Sequence, residues 1–411
     1  MQDSIYKVAA CAVTLGVLGC SNMPSEMLDA EAVATLDEAL TAALEATDIP
    51  GVVALVTTRD SVIYRAAVGD IDPLSQEPMA EDAIFRIHSM TKPITSLGLM
   101  ILVERGAVGL DDPASDYLPD LRGREVLVEV DTIGKEAVTR PPSGEITVRD
   151  LLRHTSGFGY SFSSHELLKL SRHGGLGGRA QPVLHDPGER WTYGMGTAFV
   201  GWIIEEVSGQ PLAEFLEDEV FSPLGMTQTS FSLAGPQISR LVPLARRGGG
   251  DLSVVANPDS IVSGGRGDGG LLSTADDYAR FEQLILSQGT RDGVRLVGPE
   301  SIAEMVRNQL EEISVVEQPG ANPALSNAFP AGAGRDGFGL GFQISVDDAD
   351  DRRAPGSLSW AGLANTHFWI DLDTGIGVVL LFQVFPFYDD AVIEIMDGFE
   401  RALYGRALKQ D

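Results

Sequence analysis

Apolar residues recur at three- and four-residue intervals from Met27 to Thr47, and the pattern stops at Asp48-Ile49-Pro50-Gly51. That period predicts an amphipathic helix closed by a turn. Val52 to Thr58 and Val62 to Val68 are apolar, β-branched runs on either side of Arg59-Asp60-Ser61, which predicts two strands of a hairpin. Helical spacing returns over Ser89 to Glu104, with Pro93 tolerated in the first turn and Gly106 as the stop signal. From there to about Gly334 the chain reads as helical segments, among them Val148 to His154, Thr197 to Ser208 and Pro211 to Val220, between long loops rich in glycine and proline. After Ala331-Gly332-Ala333-Gly334-Arg335, strand patterns reappear at Phe338 to Val346, Leu358 to Trp360, His367 to Asp371 and Ile376 to Phe385, and a last helix is expected over Asp389 to Leu403. Both ends are β-rich and the middle is not. The expected fold class is therefore α/β (α+β): an antiparallel sheet built from both ends of the chain, flanked by helices, with an inserted all-helical subdomain. The sheet part takes about residues 27–106 and 335–405, and the insertion about 107–334.

The first residues fit neither layer. Val8 to Gly19 is an apolar run too short to span a bilayer, preceded by Lys7, and it ends in Val17-Leu18-Gly19-Cys20. This resembles a lipoprotein signal peptide over residues 1–20, with Cys20 lipidated after cleavage and residues 21–411 forming the mature protein. The expectation is an exported, lipid-anchored protein of a bacterial cell envelope, with the membrane as a partner through its N-terminus. Ser21 after Cys20 points to the outer membrane. The only other cysteine is Cys11, so disulfides and thiolate metal sites are not expected in the mature body.

Composition narrows the partners further. With 59 acidic against 30 basic residues the formal net charge is −29, a field that repels phosphate backbones, so nucleic acid is not an expected partner. Only five lysines occur: Lys7, Lys92, Lys135, Lys169 and Lys409.

One of those lysines stands in a chemical setting. Ser89-Met90-Thr91-Lys92 lies at a predicted helix start, which puts Ser89 and Lys92 one turn apart on one face with free backbone N–H groups nearby. A serine hydroxyl needs a base, and a lysine serves only when burial and positive potential depress its pKa. Ser4-Ile5-Tyr6-Lys7 has the same spacing inside the signal segment, so the tetrapeptide alone also fits a capping serine beside a surface lysine. Two more elements bear on the choice. Pro187-Gly188-Glu189-Arg190-Trp191-Thr192-Tyr193 leads into a helix and presents a phenol suited to proton transfer. Trp360-Ala361-Gly362 sits between strand patterns.

In this order and spacing the three elements resemble the serine β-lactamase and penicillin-recognising superfamily, its class C branch, and most of all the family VIII carboxylesterases. The resemblance covers about Met27 to Leu403 and includes Leu151-Leu152-Arg153-His154-Thr155-Ser156-Gly157 and Gly269-Gly270-Leu271-Leu272-Ser273-Thr274-Ala275-Asp276-Asp277-Tyr278. It implies a β-lactamase/transpeptidase-like fold, Ser89 as acylated nucleophile, Lys92 as general base and Tyr193 as acid/base partner. It also implies an oxyanion hole from the backbone N–H groups of Ser89 and Leu363, and substrate contacts at Trp360, Ala361, Gly362 and Met195. No cofactor or metal is implied.

Two departures direct the expected substrate. Met195 stands where the lactamase branch has the asparagine of Tyr-x-Asn, and Trp360 stands where it has the lysine of Lys-Thr-Gly. A neutral aromatic supplies no cation for a substrate carboxylate. The expected activity is hydrolysis of short-chain carboxylic esters, unless Arg352 or Arg353 folds over the site. Amide chemistry on the same fold (β-lactamase, DD-peptidase or D-amino-acid peptidase) and a non-catalytic envelope protein are the alternatives. No Gly-x-Ser-x-Gly occurs, and the six histidines show no His-Glu-x-x-His spacing, which disfavours an α/β-hydrolase elbow or a metallohydrolase. Gly264 to Gly270 is expected to be a turn framing the site wall, and His88, next to Ser89, a packing residue.

Overall fold

The computed structural model describes residues 28–72, 76–131, 136–173 and 177–408. Residues 1–20, with the expected signal peptide and Cys20, lie outside the described residues. Helix α1 (Ala30–Glu45) starts where Asp29 accepts hydrogen bonds from the backbone N–H groups of Glu31 and Ala32, and it buries Ala32, Leu36, Leu40 and Leu44 as one stripe. Each leucine so buried contributes about 1.5–3 kcal/mol of apolar transfer free energy.

The hairpin follows as β1 (Gly51–Thr58) and β2 (Val62–Asp72), with β3 (Glu77–Pro78) at the edge. Helix α2 (Thr91–Glu104) is buried from Thr91 to Leu102, which is why its apolar residues run all round it. Helices α3 (Gly196–Ser208) and α4 (Ala275–Leu286) lie in the middle of the chain. The C-terminal part adds β4 (Gly337–Phe338), β5 (Gln343–Ile344), β6 (Leu358–Gly362), β7 (Thr366–Asp371), β8 (Ile376–Leu381) and helix α5 (Asp390–Ala402).

These eight strands form one antiparallel sheet in the order β4-β5-β6-β7-β8-β1-β2-β3, so β1 and β8 join the two ends of the chain with Val53 opposite Leu381. Side chains alternate across it. Val53, Leu55, Phe368, Val379 and Leu381 pack with α2 and α4 on one face. Val52, Ala54, Val56, Trp369, Val378 and Leu380 pack with α1 and α5 on the other. Covering both faces explains why β1 and β8 read as unbroken apolar runs. No helix among the described residues is long and apolar enough to cross a membrane.

The insertion differs from the all-helical expectation. It carries a hairpin at Val126–Asp131 and Glu136–Arg140 and another at Leu244–Gly248 and Asp251–Val255. These strands are short and largely solvent-facing, so their alternation is weak against the surrounding glycines. A further pair positions the site: Leu272–Ser273 bonds to Phe85–Arg86, just before Ser89.

Candidate active site

Ser89 sits in a short 3₁₀ turn, His88–Met90, that runs directly into α2, and Lys92 follows one turn later. The turn is held from three sides. Ile87 N–H donates to Leu271 O at 3.1 Å, Leu271 N–H donates to Thr91 Oγ1 at 3.3 Å, and Tyr278 OH donates to Met90 O at 3.1 Å. His88 has φ +42°, a left-handed conformation that costs a non-glycine residue about 1 kcal/mol or more. Its buried ring meets Phe385 edge-on at 6.1 Å, and burial, then the charges of Arg86 and Lys92, lower its pKa to about 4. The imidazole is thus neutral packing beside the nucleophile.

Lys92 is 1% exposed, and its Nζ donates to Ser89 Oγ at 3.0 Å and to the backbone O of Asp268 at 2.7 Å. It lies over the rings of Tyr193 (4.7 Å) and Tyr160 (5.2 Å). Burial lowers its pKa to about 7, with Asp268 opposing and Arg266 reinforcing the shift. A lysine so placed is largely unprotonated just above neutrality. In that form the contact reverses, and the serine hydroxyl donates to the amine lone pair.

Tyr193 closes the group. Its hydroxyl hydrogen-bonds with Ser89 and accepts from Trp360 Nε1 at 3.2 Å. Burial raises the phenol's pKa above the ordinary value against the pull of those two bonds, so it stays protonated. Behind it His154, buried and held at φ +61°, packs its ring 4.9 Å away. Burial, then Lys92, keeps His154 neutral.

Trp360, Ala361 and Gly362 form the end of β6 and are all buried. The strand packs so close to the Ser89 turn that a Cβ at Gly362 would lie 2.2 Å from Ile87 O, which admits only glycine. Leu363 follows directly and is half-buried. Trp360 is neutral but not merely apolar, because its indole also supplies a hydrogen bond to Tyr193. Met195 is buried in the apolar core at the N-terminus of α3 and presents no amide. Arg352 and Arg353 are tied to α5, although Arg353 also lines a cavity with Trp360 and Ala361. Both pair with Glu400 of α5, at 3.2 and 3.0 Å, and Arg352 also pairs with Asp397.

Sequence reasoning missed three residues that touch Lys92 or its partners. Asp268, buried in the glycine-rich turn, accepts from Tyr160 OH at 2.6 Å and from Arg266 Nη2 at 2.7 Å, besides taking Lys92 on its main chain. An Arg-Gly-Asp sequence enclosed by glycines was the available signal. Tyr160 follows the Leu151-to-Gly157 stretch by three residues.

The arrangement brings together a nucleophile, a depressed amine and a protonated phenol, with the rings of Tyr160, Phe329 and Trp360 against Tyr193 and Phe162 stacked on Tyr160. Known proteins carry the same frame. The chain is 30% identical over 409 residues to monacolin J acid methylbutanoyltransferase of Aspergillus terreus, covering 92% of this chain and 97% of that one. It is 29% identical over 398 residues to the esterase EstB of Burkholderia gladioli, covering 86% and 91%. Among solved structures, the LovD6 mutant of simvastatin synthase from Aspergillus terreus superimposes with a TM-score of 0.80 at 28% identity, covering 94% of this chain and 100% of that one. The pattern of the Beta-lactamase family matches residues 36–401. A match over that length, with esterases and acyltransferases among the relatives, means that this enzyme belongs to the beta-lactamase family, in its serine hydrolase and acyltransferase part.

Proposed function

We propose that the enzyme hydrolyses short-chain carboxylic esters through an acyl-Ser89 intermediate. Ser89 Oγ adds to the ester carbonyl carbon while its proton passes to the Lys92 amine. The oxyanion is met by the backbone N–H groups of Ser89 and Leu363. The ester C–O bond breaks, the leaving alcohol takes its proton from Tyr193, and Lys92 returns one to the phenol. Water then attacks the acyl-enzyme by the reverse path, releasing the acid and free Ser89. Lys92 rather than Tyr193 is the base in this reading, because burial depresses the amine and raises the phenol.

The observation that carries the ester preference is Trp360, whose neutral indole lies against Tyr193 with ring centroids 4.8 Å apart. A charged substrate carboxylate would be desolvated there without a cation. The test is kcat/KM for p-nitrophenyl butyrate against nitrocefin and a D-Ala-D-Ala peptide. Butyrate is expected to be turned over and the lactam poorly or not at all; a ratio favouring nitrocefin overturns the ester reading and supports amide chemistry.

A second reading, acyl transfer to an alcohol, is favoured by the methylbutanoyltransferase relative and uses the same intermediate. Adding a primary alcohol to the assay separates the two, since transfer yields a new ester and hydrolysis only the acid. We further propose that the chain is exported and anchored through Cys20.

A further inference from the structure

The turn Gly264 to Gly270 comes closer to the nucleophile's base than a framing loop requires. A Cβ at Gly267 would lie 2.5 Å from Thr197 O and 2.9 Å from Thr95 Cγ2, so the turn is wedged between α2 and α3 where only glycine fits. Wedging it there brings the main-chain carbonyl of Asp268 to 2.7 Å from Lys92 Nζ. The side chain of Asp268 turns into the protein, where it is 3% exposed and accepts three hydrogen bonds: Arg266 Nε at 3.0 Å, Arg266 Nη2 at 2.7 Å and Tyr160 OH at 2.6 Å.

A buried carboxylate beside a lysine that must lose its proton opposes the chemistry. Here it is matched two residues away by a guanidinium bound in bidentate geometry. We infer that Arg266 and Asp268 are positioning residues that act as one unit on Lys92, holding its amine against Ser89 and setting the pH at which it is free to accept the serine proton. This rests on the reading of Lys92 as the base.

Among the described residues, the groups facing Lys92 leave these two as its charged neighbours. From its own turn come Ser89 and the neutral His88. Neutral His154 and protonated Tyr160 come from the chain after the Val148–Leu152 helix, and protonated Tyr193 from the start of α3. Burial pushes the Asp268 carboxyl up, but Lys92, Arg266 and Tyr160 outweigh it and keep it ionised. Of the two charges, Asp268 is enclosed while the Arg266 side chain is 56% exposed and screened by solvent. Removing either one alone therefore acts on Lys92 in opposite senses.

The experiment compares wild type, Arg266→Gln, Asp268→Asn and Arg266→Lys by the pH dependence of kcat/KM for p-nitrophenyl butyrate. The pH dependence of Ser89 labelling by a fluorophosphonate is measured in parallel, since it reports the free enzyme without turnover. Arg266→Gln leaves the carboxylate uncompensated and is expected to move the acid limb up by about half a pH unit. Asp268→Asn keeps the backbone carbonyl and is expected to move it down by about one unit. Arg266→Lys restores the charge and is expected to return the limb toward wild type. Limbs that stay in place, or move the same way in the Gln and Asn variants while rates fall, overturn the inference and leave Arg266 and Asp268 as scaffold. Lys92→Arg, which cannot deprotonate, is the separate control. If it stays active, the reading of Lys92 as base fails first; if it is dead and the limbs do not move, only the role of Arg266 and Asp268 fails.

Discussion

Trp360 shows how one side chain serves both packing and chemistry. Its ring fills the space against Tyr193, Trp191 and Phe338, and its Nε1–H bonds the Tyr193 hydroxyl at 3.2 Å. Trp360→Phe keeps most of the apolar wall and removes only the hydrogen bond. It is expected to lower kcat for p-nitrophenyl butyrate about three- to tenfold with KM little changed, as loss of one such bond to a proton-transfer group implies. Steady-state kinetics check this, and an unchanged kcat would mean that the bond does not matter to proton transfer. Ser89, Lys92, Tyr193 and Trp360 were legible in the sequence because each stands in a short local motif. Tyr160, Arg266 and Asp268 were not, since Tyr160 lies more than a hundred residues from the other two and only the wedged turn brings them to Lys92.

At the level of elements, α4 packs a carboxyl into the interface with β8. Both oxygens of Glu282 are buried without a hydrogen-bond partner, and a Cβ at Gly377 would lie 2.6 Å from Oε2, so the strand makes room for the side chain only by carrying glycine. Burial holds the Glu282 pKa well above the ordinary glutamate range. The native state therefore keeps a proton that the unfolded chain loses above about pH 4.3, and the stability this group leaves in place at low pH is lost as pH rises through the folded pKa. Glu282→Met is expected to raise the melting temperature by several degrees at pH 8 and by less at pH 5. An equal gain at both would mean that the acid is not protonated in the fold.

Strand boundaries repeat the lesson about what a pattern reveals. The run from Phe338 to Val346 reads as one strand, yet Gly341 at φ +104° breaks it into β4 and β5. Ile376 to Phe385 likewise divides, because Gln383 turns aside to bond the backbone of Arg86. The apolar alternation was legible; the glycine conformation and the tertiary hydrogen bond that interrupt it were not.

For the whole molecule, the proposed anchor is tested by fractionation. Wild-type protein expressed in a bacterium is expected in the membrane fraction, and Cys20→Ser in the soluble fraction or unprocessed; soluble, uncleaved wild type counts against lipidation. The pairing of β1 with β8 has a consequence for how the chain is made. These strands sit side by side at the centre of the sheet, with partners such as Val53 and Leu381 more than 300 residues apart in sequence. Early in synthesis β1 and β2 can form only an isolated hairpin, which is marginal in water without neighbours. The sheet closes only after β8 has left the ribosome, so for most of translation after α2 is made the nascent chain holds Ser89 and Lys92 but no Trp360, and the site is completed among the last events of folding.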